Sequence, residues 1–109
     1  ELDDKDADCI HAVAYDPAGK AVGTGRLLPD GHIGRMAVVK EWRRQGVGAE
    51  ILKALTEEAG RRGHKEVVLS AQLQAAEFYR EHGFVAEGKV YEEAGILHQA
   101  MRKVLLPST

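Results

Sequence analysis

The chain has 109 residues, 44% of them hydrophobic, which suffices for one domain with a single core and is too little for two. Fifteen basic and seventeen acidic side chains give a formal net charge of −2, so the chain as a whole does not attract nucleic acid. A single cysteine excludes an internal disulfide and a CxxC zinc site. We therefore expect one domain, residues 1–109, in a reducing compartment, the cytoplasm.

The beginning of the chain does not have the pattern of a targeting segment. Its first eight residues, ELDDKDAD, are acidic where a signal peptide is basic and then apolar, and no apolar run approaches the roughly 20 residues that span a bilayer. We expect neither export nor a membrane anchor. The chain does not start with methionine, which fits a trimmed protein or a piece of a longer one.

Residues 9–39 predict three antiparallel strands. Strand-like runs at 9–15 and 21–28 are joined by DPAGK at 16–20, whose proline and glycine favour a turn. A second turn signal, LPDG at 28–31, leads into an apolar run at 32–39. Together these segments predict a three-stranded meander.

The next segment has the clearest helical pattern. Apolar residues recur at helical spacing from Val47 to Ala59, with charged residues between them, and Gly63 supplies a stop. A short apolar run, Val67-Val68-Leu69, follows after a short link and suits a strand buried on both faces. The order strand, helix, strand predicts a βαβ crossover.

The last third predicts a short helix and a hairpin. Ala75, Phe78, Tyr79 and His82 share one helical face, which ends at Gly83. Strand-like runs at 84–92 and 97–106 then flank the turn EAG at 93–95. With no repeat or linker in view, the whole chain predicts an α/β (α+β) fold, with a mixed, mostly antiparallel sheet and a central βαβ crossover.

A glycine loop, RRQGVGA at 43–49, opens the long predicted helix. The first N–H groups of a helix have no intrahelical partner and lie at its positive end, so they attract an anion. Gly46 and Gly48 have no Cβ to keep a phosphate away, while Arg43 and Arg44 add positive charge. The loop therefore predicts a phosphate site, with a solvated basic helix start as the other interpretation.

Two common phosphate loops do not match. A Walker A loop needs Gly-x-x-x-x-Gly-Lys-Ser/Thr, and no Gly-Lys-Ser/Thr occurs in the chain. A dinucleotide fingerprint needs a third glycine where Ile51 stands and a loop directly behind its strand, whereas residues 40–42 intervene. The phosphate is therefore expected to be the handle of a larger molecule, such as coenzyme A, and not the reacting group.

Three stretches of the chain carry a family resemblance. Arg43-x-x-Gly46-x-Gly48 resembles the acetyl-CoA loop of the GNAT N-acetyltransferases, Gln/Arg-x-x-Gly-x-Gly/Ala. QLQAAEFYREHGF at 72–84 resembles a later helix of that family, which carries an alanine, a Phe-Tyr pair and a Gly-Phe. VYEEAGILHQAMRK at 90–103 is similar to the ending of the ElaA/YjcF-like subgroup. The resemblance covers about residues 1–103 and lacks the strand and the one or two helices with which family members usually begin.

The resemblance implies a GNAT-like acyl-CoA N-acyltransferase fold. It also implies transfer of an acetyl group from acetyl-CoA to a primary amine, on a small molecule or a protein, by direct attack in a ternary complex and without a metal. It allows a homodimer and gives no role to nucleic acid or a membrane. The implied coenzyme-binding residues are Met36, Ala37, Val38, Arg43, Arg44, Gln45, Gly46, Val47, Gly48, Ala49 and Gln72.

Two residues are candidates for proton transfer. Tyr79 matches the family position whose hydroxyl protonates the departing thiolate, and a phenol is a neutral donor at pH 7. A tyrosine that only packs beside Phe78 is the alternative. The family glutamate on the strand before the loop is replaced here by Gly34. His98 is the candidate general base, because imidazole titrates near neutral pH, although a structural histidine fits the same position.

A second hypothesis comes from a different functional class. The elements missing at the start of the resemblance, together with Gly34, favour a catalytically silent acyl-CoA-binding module, or a subunit that needs a partner to complete its acceptor site. Glu92 and Glu93 are interpreted as a solvated turn. No metal site is predicted, because no H-x-x-x-H pattern and no neighbouring carboxylate ligand pattern occurs at His11, His32, His64 and His82.

Overall fold

The computed structural model describes the backbone of residues 2–3 and all atoms of residues 9–105. Two helices, two short 3-10 turns and seven strands make up this part of the chain. In chain order they are β1 (Leu2–Asp3), β2 (Ile10–Tyr15), β3 (Ala21–Leu27), β4 (Ile33–Val38), the 3-10 turn Lys40–Trp42, α1 (Val47–Arg61), β5 (Glu66–Gln72), the 3-10 turn Leu73–Ala75, α2 (Ala76–Glu81), β6 (Val85–Glu93) and β7 (Ile96–Val104).

The strands form two antiparallel sheets, with the orders β1-β2-β3-β4 and β5-β7-β6. One parallel bridge joins the sheets where His32 lies opposite Val68, and the Val68 amide donates to the Gly31 carbonyl over 3.1 Å. Beyond the bridge β4 and β5 belong to separate sheets. The predicted mostly antiparallel fold with a crossover is confirmed, and its parallel pairing within the described residues is limited to this one bridge.

Helix α1 covers one face of both sheets. Its apolar side buries Ile51, Leu52, Leu55 and Ala59, as the spacing predicted. Strand β3 lets the helix approach because a Cβ added at Gly25 would lie 2.9 Å from Ile51 Cγ2. The crossover helix is therefore fixed by close packing against the middle of the first sheet. The core is completed by residues from β2 to β7: Ile10, Ala12, Leu27, Ile33, Val67, Leu69, Ala71, Ala76, Phe84 and Met101.

The predicted end of α1 is confirmed. Gly63 adopts a φ of +88°, a conformation that glycine takes without steric cost, and the His64 amide donates to the Ala59 carbonyl over 3.0 Å. Arg61 and Arg62 both donate to the Glu58 carboxylate in the last turns. These bonds lower the pKa of Glu58.

The structure corrects the predicted burial of β5. Val67 and Leu69 are buried beneath α1, but Val68 is only half-buried, so the prediction of a strand covered on both faces is wrong. The physical reason is that the other face of the strand carries no covering element in the described residues. It bears the polar side chains of Glu66 and Ser70 and lines an open groove.

Three further boundaries differ from the sequence predictions. The expected meander gains a fourth strand, since β1 pairs with β2. The second helix is confined to Ala76–Glu81, because Leu73–Ala75 forms a 3-10 turn. Strand β7 begins one residue earlier than expected, at Ile96, and the last residue of its predicted run, 106, lies outside the described residues. Neither described helix is long and apolar enough to cross a membrane.

Candidate active site

The glycine loop ends at the uncapped start of α1. Gly46 occupies the N-cap position with φ 83° and ψ 1°, and Arg44 also has a positive φ, 63°. These two left-handed residues turn the chain sharply into the helix. No described side chain caps the N-terminus of α1, so the first N–H groups of the helix have no side-chain acceptor.

A cleft of about 390 Å³ lies between this helix start, β4 and α2. On one side of the gap between the two sheets, the cleft is lined by β4 and the glycine loop. On the other side it is lined by Ala75, Phe78 and Tyr79, which follow β5. The cleft therefore spans the place where the sheets separate. Its lining residues are Met36, Ala37, Val38, Trp42, Arg43, Arg44, Gly46, Gly48, Ala49, Ala75, Phe78 and Tyr79.

Gly48 marks the point at which three elements of the cleft meet. A Cβ added there would lie 3.6 Å from Phe78 Cζ on α2 and 3.8 Å from Val38 Cγ2 on β4. These are ordinary van der Waals distances, so one methyl group fits without displacing a neighbour. A longer side chain at Gly48 would project among the residues that line the cleft.

Eight of the eleven residues predicted to bind the coenzyme line this cleft, and three do not. The amide of Gln45 donates to the Glu41 carbonyl over 3.3 Å, and Val47 packs against the core. Gln72 is exposed, and its Oε1 accepts a 2.6 Å hydrogen bond from Gln74. The structure thus brings together the loop and the edge of β4 but leaves Gln72 outside their cleft.

Tyr79 is held at the cleft by aromatic packing. Its ring meets Phe78 edge-on at 5.1 Å and Phe84 at 5.8 Å, centroid to centroid. Desolvation by this burial raises the pKa of Tyr79, so the phenol stays protonated at neutral pH. Among the described residues its hydroxyl has no hydrogen-bond partner. The proton is therefore available to a bound group.

Three cleft residues were not predicted as site residues: Trp42, Ala75 and Phe78. Trp42 is the only tryptophan of the chain and stands directly before Arg43, a signal that could have identified it. Phe78 was interpreted only as a packing partner of Tyr79. Nothing in the local pattern of Ala75 distinguishes a cleft residue from a core residue.

His98, the candidate base, lies on the opposite face of the second sheet from α1. It lies on the central strand β7, opposite Gln72 of β5 on one side and opposite Tyr91 of β6 on the other. Its Nδ1 is 2.8 Å from the Ile96 carbonyl. A carbonyl oxygen can only accept, so Nδ1 donates the hydrogen, and Nε2 of the neutral ring carries the lone pair. The two candidates for proton transfer are therefore separated: Tyr79 lies at the cleft, and His98 lies on the outer face of the second sheet.

A second groove, also of about 390 Å³, runs along this outer face. Arg102 crosses its floor and forms ion pairs with the carboxylates of Glu66 and Glu87. Ser70 and Tyr91 line the groove and hydrogen-bond to each other. Within residues 9–105 no group of three or more His, Cys, Asp and Glu side chains is placed to hold a metal ion.

Two antiparallel sheets that meet at one bridge and then separate, with a glycine-opened helix at the gap, form the acyl-CoA N-acyltransferase fold. The crystal structure of an acyl-CoA N-acyltransferase from Pseudomonas aeruginosa superposes with a TM-score of 0.79 and 32% identity, over 91% of this chain and 70% of that one. Escherichia coli ElaA superposes with a TM-score of 0.80 and 30% identity, over 93% and 72%.

Sequence comparison defines the family. Residues 4–105 match the model of the acetyltransferase (GNAT) domain. YjcF of Bacillus subtilis strain 168, described as an uncharacterized N-acetyltransferase, is 40% identical over 107 residues, which are 94% of this chain and 76% of YjcF. The chain therefore belongs to the GNAT acetyltransferase family, and the resemblance to its ElaA/YjcF-like members is confirmed.

Proposed function

We propose that residues 1–109 form one cytoplasmic domain that transfers an acetyl group from acetyl-CoA to a primary amine, of a small molecule or a protein, by direct attack in a ternary complex. The observation that carries the proposal is the single cleft that joins the glycine loop, the edge of β4 and the Tyr79 phenol. One elongated ligand can reach all three. The name of the Pseudomonas neighbour, an acyl-CoA N-acyltransferase, supports the same class of donor.

The diphosphate of the donor would bind at the start of α1. The uncapped N–H groups of the first turn and the positive end of the helix favour a dianion there. Arg43 and Arg44 are exposed beside these groups, so the loop is locally positive although the chain carries a net charge of −2. Gly46, whose left-handed conformation favours glycine and which has open space around its Cβ position, leaves the backbone open to close approach.

The pantetheine arm of the donor would lie along β4. Beyond the bridge at His32, the edge of β4 that faces β5 has no strand partner in the described part of the chain. Met36, Ala37 and Val38 line the cleft at this edge. The backbone groups of Met36 and Val38, which alternate with those directed to β3, can hydrogen-bond an extended amide-containing arm as an added strand would. A β4 amide near Val38 would then polarise the thioester carbonyl.

The transfer itself needs one proton donor and one proton acceptor. The nitrogen of the neutral amine attacks the thioester carbonyl carbon, the C–N bond forms, and the C–S bond breaks. Tyr79 gives its phenolic proton to the departing thiolate. The acceptor enters from the outer face of the second sheet, and His98 Nε2 takes the proton that the amine loses through a bridging water, because His98 does not line the cleft. Before the next turnover His98 releases its proton to water and Tyr79 regains one from water, so the protons balance.

Calorimetry with acetyl-CoA tests the proposal through Gly48→Asp. The Cβ of aspartate fits at this site, and a carboxylate near a helix N-terminus does not destabilise α1, so the variant should fold. Its negative charge would face the diphosphate, and we expect binding to weaken by more than about 100-fold, since repulsion replaces a charge-assisted contact.

Two variants serve as matched controls for this experiment. Gly48→Ala adds only the methyl group that the geometry accommodates and should bind acetyl-CoA nearly as well as the parent chain. Gly60→Asp adds the same charge at a position of α1 with open space around it. Equal affinity of Gly48→Asp and Gly60→Asp, or no binding by the parent chain, would refute the coenzyme site.

A separate measurement distinguishes an enzyme from a silent binding module. The position of Gly34, where β4 has no carboxylate, is the observation that favours the module. The chain is mixed with acetyl-CoA and with n-butylamine, lysine or spermidine, and the free thiol of the released coenzyme A is measured. Thiol release that depends on the amine supports the transferase, whereas tight coenzyme binding without any release supports the module.

A further inference from the structure

Tyr91 forms a brace across the outer face of the second sheet. Its ring stacks on the His98 imidazole with centroids 5.7 Å apart and planes inclined by 20°. Its hydroxyl hydrogen-bonds to Ser70 Oγ on β5, two strands away from β6. Adjacent strands are about 4.8 Å apart, so the Tyr91 side chain must reach over β7 from β6 to β5 to make this bond. The Tyr91 side chain is thus held at its ring by His98 and at its hydroxyl by Ser70.

A bulge in β6 places Tyr91 at this position. Glu87 pairs with Ala100, and the next pair along the strands joins Tyr91 to His98, so three residues of β6 face one residue of β7. In a regular ladder Lys89, two residues after Glu87, would lie opposite His98. The bulge therefore replaces a flexible cation with a flat aromatic ring beside the imidazole.

The bulge itself is secured from the other face of the sheet. Gln99 is buried, and its amide donates to the carbonyls of Glu87 and Gly88 over 2.8 and 3.0 Å. Gly88 takes a φ of 74°, which a side chain would strain. Ala100 completes the arrangement, because its small side chain leaves the tyrosine room to cross β7 toward Ser70.

We propose that Tyr91 is a positioning residue that sets the plane of the His98 ring and so directs Nε2 toward the acceptor amine. The ring of His98 has two restraints, the stacked phenol of Tyr91 and the bond from Nδ1 to the Ile96 carbonyl. Removal of the phenol leaves only the second. Ser70 acts one step further away by holding the Tyr91 hydroxyl. The catalytic part of this inference rests on the proposed role of His98 in acetyl transfer.

The first test reads the His98 ring in the free protein by proton–nitrogen NMR of the imidazoles. The parent chain should show a single neutral tautomer with the hydrogen on Nδ1. Tyr91→Leu should keep the hydrogen on Nδ1, because the bond to the Ile96 carbonyl remains, but should broaden the His98 signals as the unstacked ring moves. Tyr91→Phe, which keeps the ring and loses the hydroxyl, should give intermediate line widths. Tyr15→Leu, a change at an exposed tyrosine of the first sheet, is the control and should leave His98 unchanged. His98 signals as sharp in Tyr91→Leu as in the parent chain overturn the proposal.

The second test is a double-mutant cycle on the transfer rate with acetyl-CoA and the best of the three amines named above. Tyr91→Leu should lower kcat about tenfold, because a misplaced base loses productive geometry, while the Kd of acetyl-CoA stays within about twofold. In the His98→Gln background the same substitution should have no further effect. Additive losses would show that Tyr91 does not act through His98 and would overturn the proposal.

These two tests separate failure of this inference from failure of the proposed function. If the parent chain does not bind acetyl-CoA or does not transfer the acetyl group, the proposed function is refuted. The NMR experiment still decides whether Tyr91 orders the His98 ring. Ser70→Ala provides an additional check, since it preserves both aromatic rings. It should change the His98 spectrum in the same direction as Tyr91→Phe, and an unchanged spectrum in both variants removes the brace.

Discussion

The Nε of Arg43 donates a 3.1 Å hydrogen bond to the backbone carbonyl of Val38, which ties the glycine loop to the end of β4. Both residues line the cleft at the start of α1. The guanidinium has five N–H groups, so it can keep this bond and still offer others to an anion. Arg43 thus joins the two parts of the cleft that the proposed donor would occupy.

We predict that Arg43→Ala weakens acetyl-CoA binding by about tenfold, as a charge-assisted hydrogen bond to the diphosphate is lost. Arg43→Lys should bind acetyl-CoA with an affinity between those of the parent chain and Arg43→Ala, because lysine keeps the charge but lacks the planar guanidinium. Calorimetry at low salt gives the affinities. Arg61→Ala, at the far end of α1, is the control, and equal effects of the two alanine variants would contradict the assignment.

Tyr79→Phe should separate coenzyme binding from chemistry. The hydroxyl has no hydrogen-bond partner among the described residues, so its removal leaves the packing on Phe78 and Phe84 intact. We expect kcat to fall by about 100-fold, within the range for loss of a general acid, and the Kd of acetyl-CoA to stay nearly constant. Stopped-flow detection of free thiol measures the rate. A rate like that of the parent chain with all three amines would exclude Tyr79 as the acid.

The raised pKa of Tyr79 makes a prediction about stability at alkaline pH. Burial raises the pKa in the folded chain, so the folded state holds this proton more tightly than the unfolded state does. Above about pH 10 the unfolded chain loses the proton first, and the free energy of unfolding falls. Urea midpoints from about pH 8 to 11 should fall less steeply in Tyr79→Phe. Tyr15→Phe, at a more exposed tyrosine, is the control, and identical slopes in all three proteins would contradict the prediction.

Gly25 and Gly60 should respond oppositely to the same substitution. A Cβ at Gly25 would lie 2.7 Å from Met36 Sδ and 2.9 Å from Ile51 Cγ2, so Gly25→Ala should destabilise the fold by about 1–3 kcal/mol through overpacking. Gly60 lies in α1 with open space around its Cβ position, so Gly60→Ala should stabilise the fold by about 0.5–1 kcal/mol. Urea denaturation measures both, and a neutral Gly25→Ala would show that the helix can shift away from β3.

Gln99→Leu tests the support of the bulge in β6. The substitution leaves the carbonyls of Glu87 and Gly88 without their side-chain donor, and we expect a loss of about 1–3 kcal/mol in unfolding free energy. Gln74→Leu changes an exposed glutamine in the same way and should cost much less. Similar unfolding free energies for the two variants would indicate that the bulge does not depend on Gln99.

The elements that could be predicted from sequence are those fixed by local chemistry. The glycine loop and α1 follow from the glycines, the arginines and the helical spacing of a single segment, and they lie where the pattern put them. The position of Tyr79 at the cleft also follows, because it is carried by the motif that the family resemblance identified. In each case the determining residues are close together in the sequence.

The rest depends on register between distant strands. Tyr91 lies opposite His98 only because β6 bulges after Glu87, and the alternation of apolar residues in that strand gives no sign of the bulge. The contact from Tyr91 to Ser70 joins residues 21 positions apart across an intervening strand. Burial of Val68 was overestimated for a similar reason, since a run of three apolar residues does not show which face of the sheet another element covers.

The single bridge at His32 and Val68 leaves two strand edges, those of β4 and β5, confronting each other without mutual hydrogen bonds over the rest of their described length. Exposed edges of this kind are templates for pairing between molecules, and they are a common origin of aggregation. A ligand that fills the gap would hide both edges at once. The proposed donor should therefore act as a solubilising agent for this chain during storage and refolding, independently of any turnover.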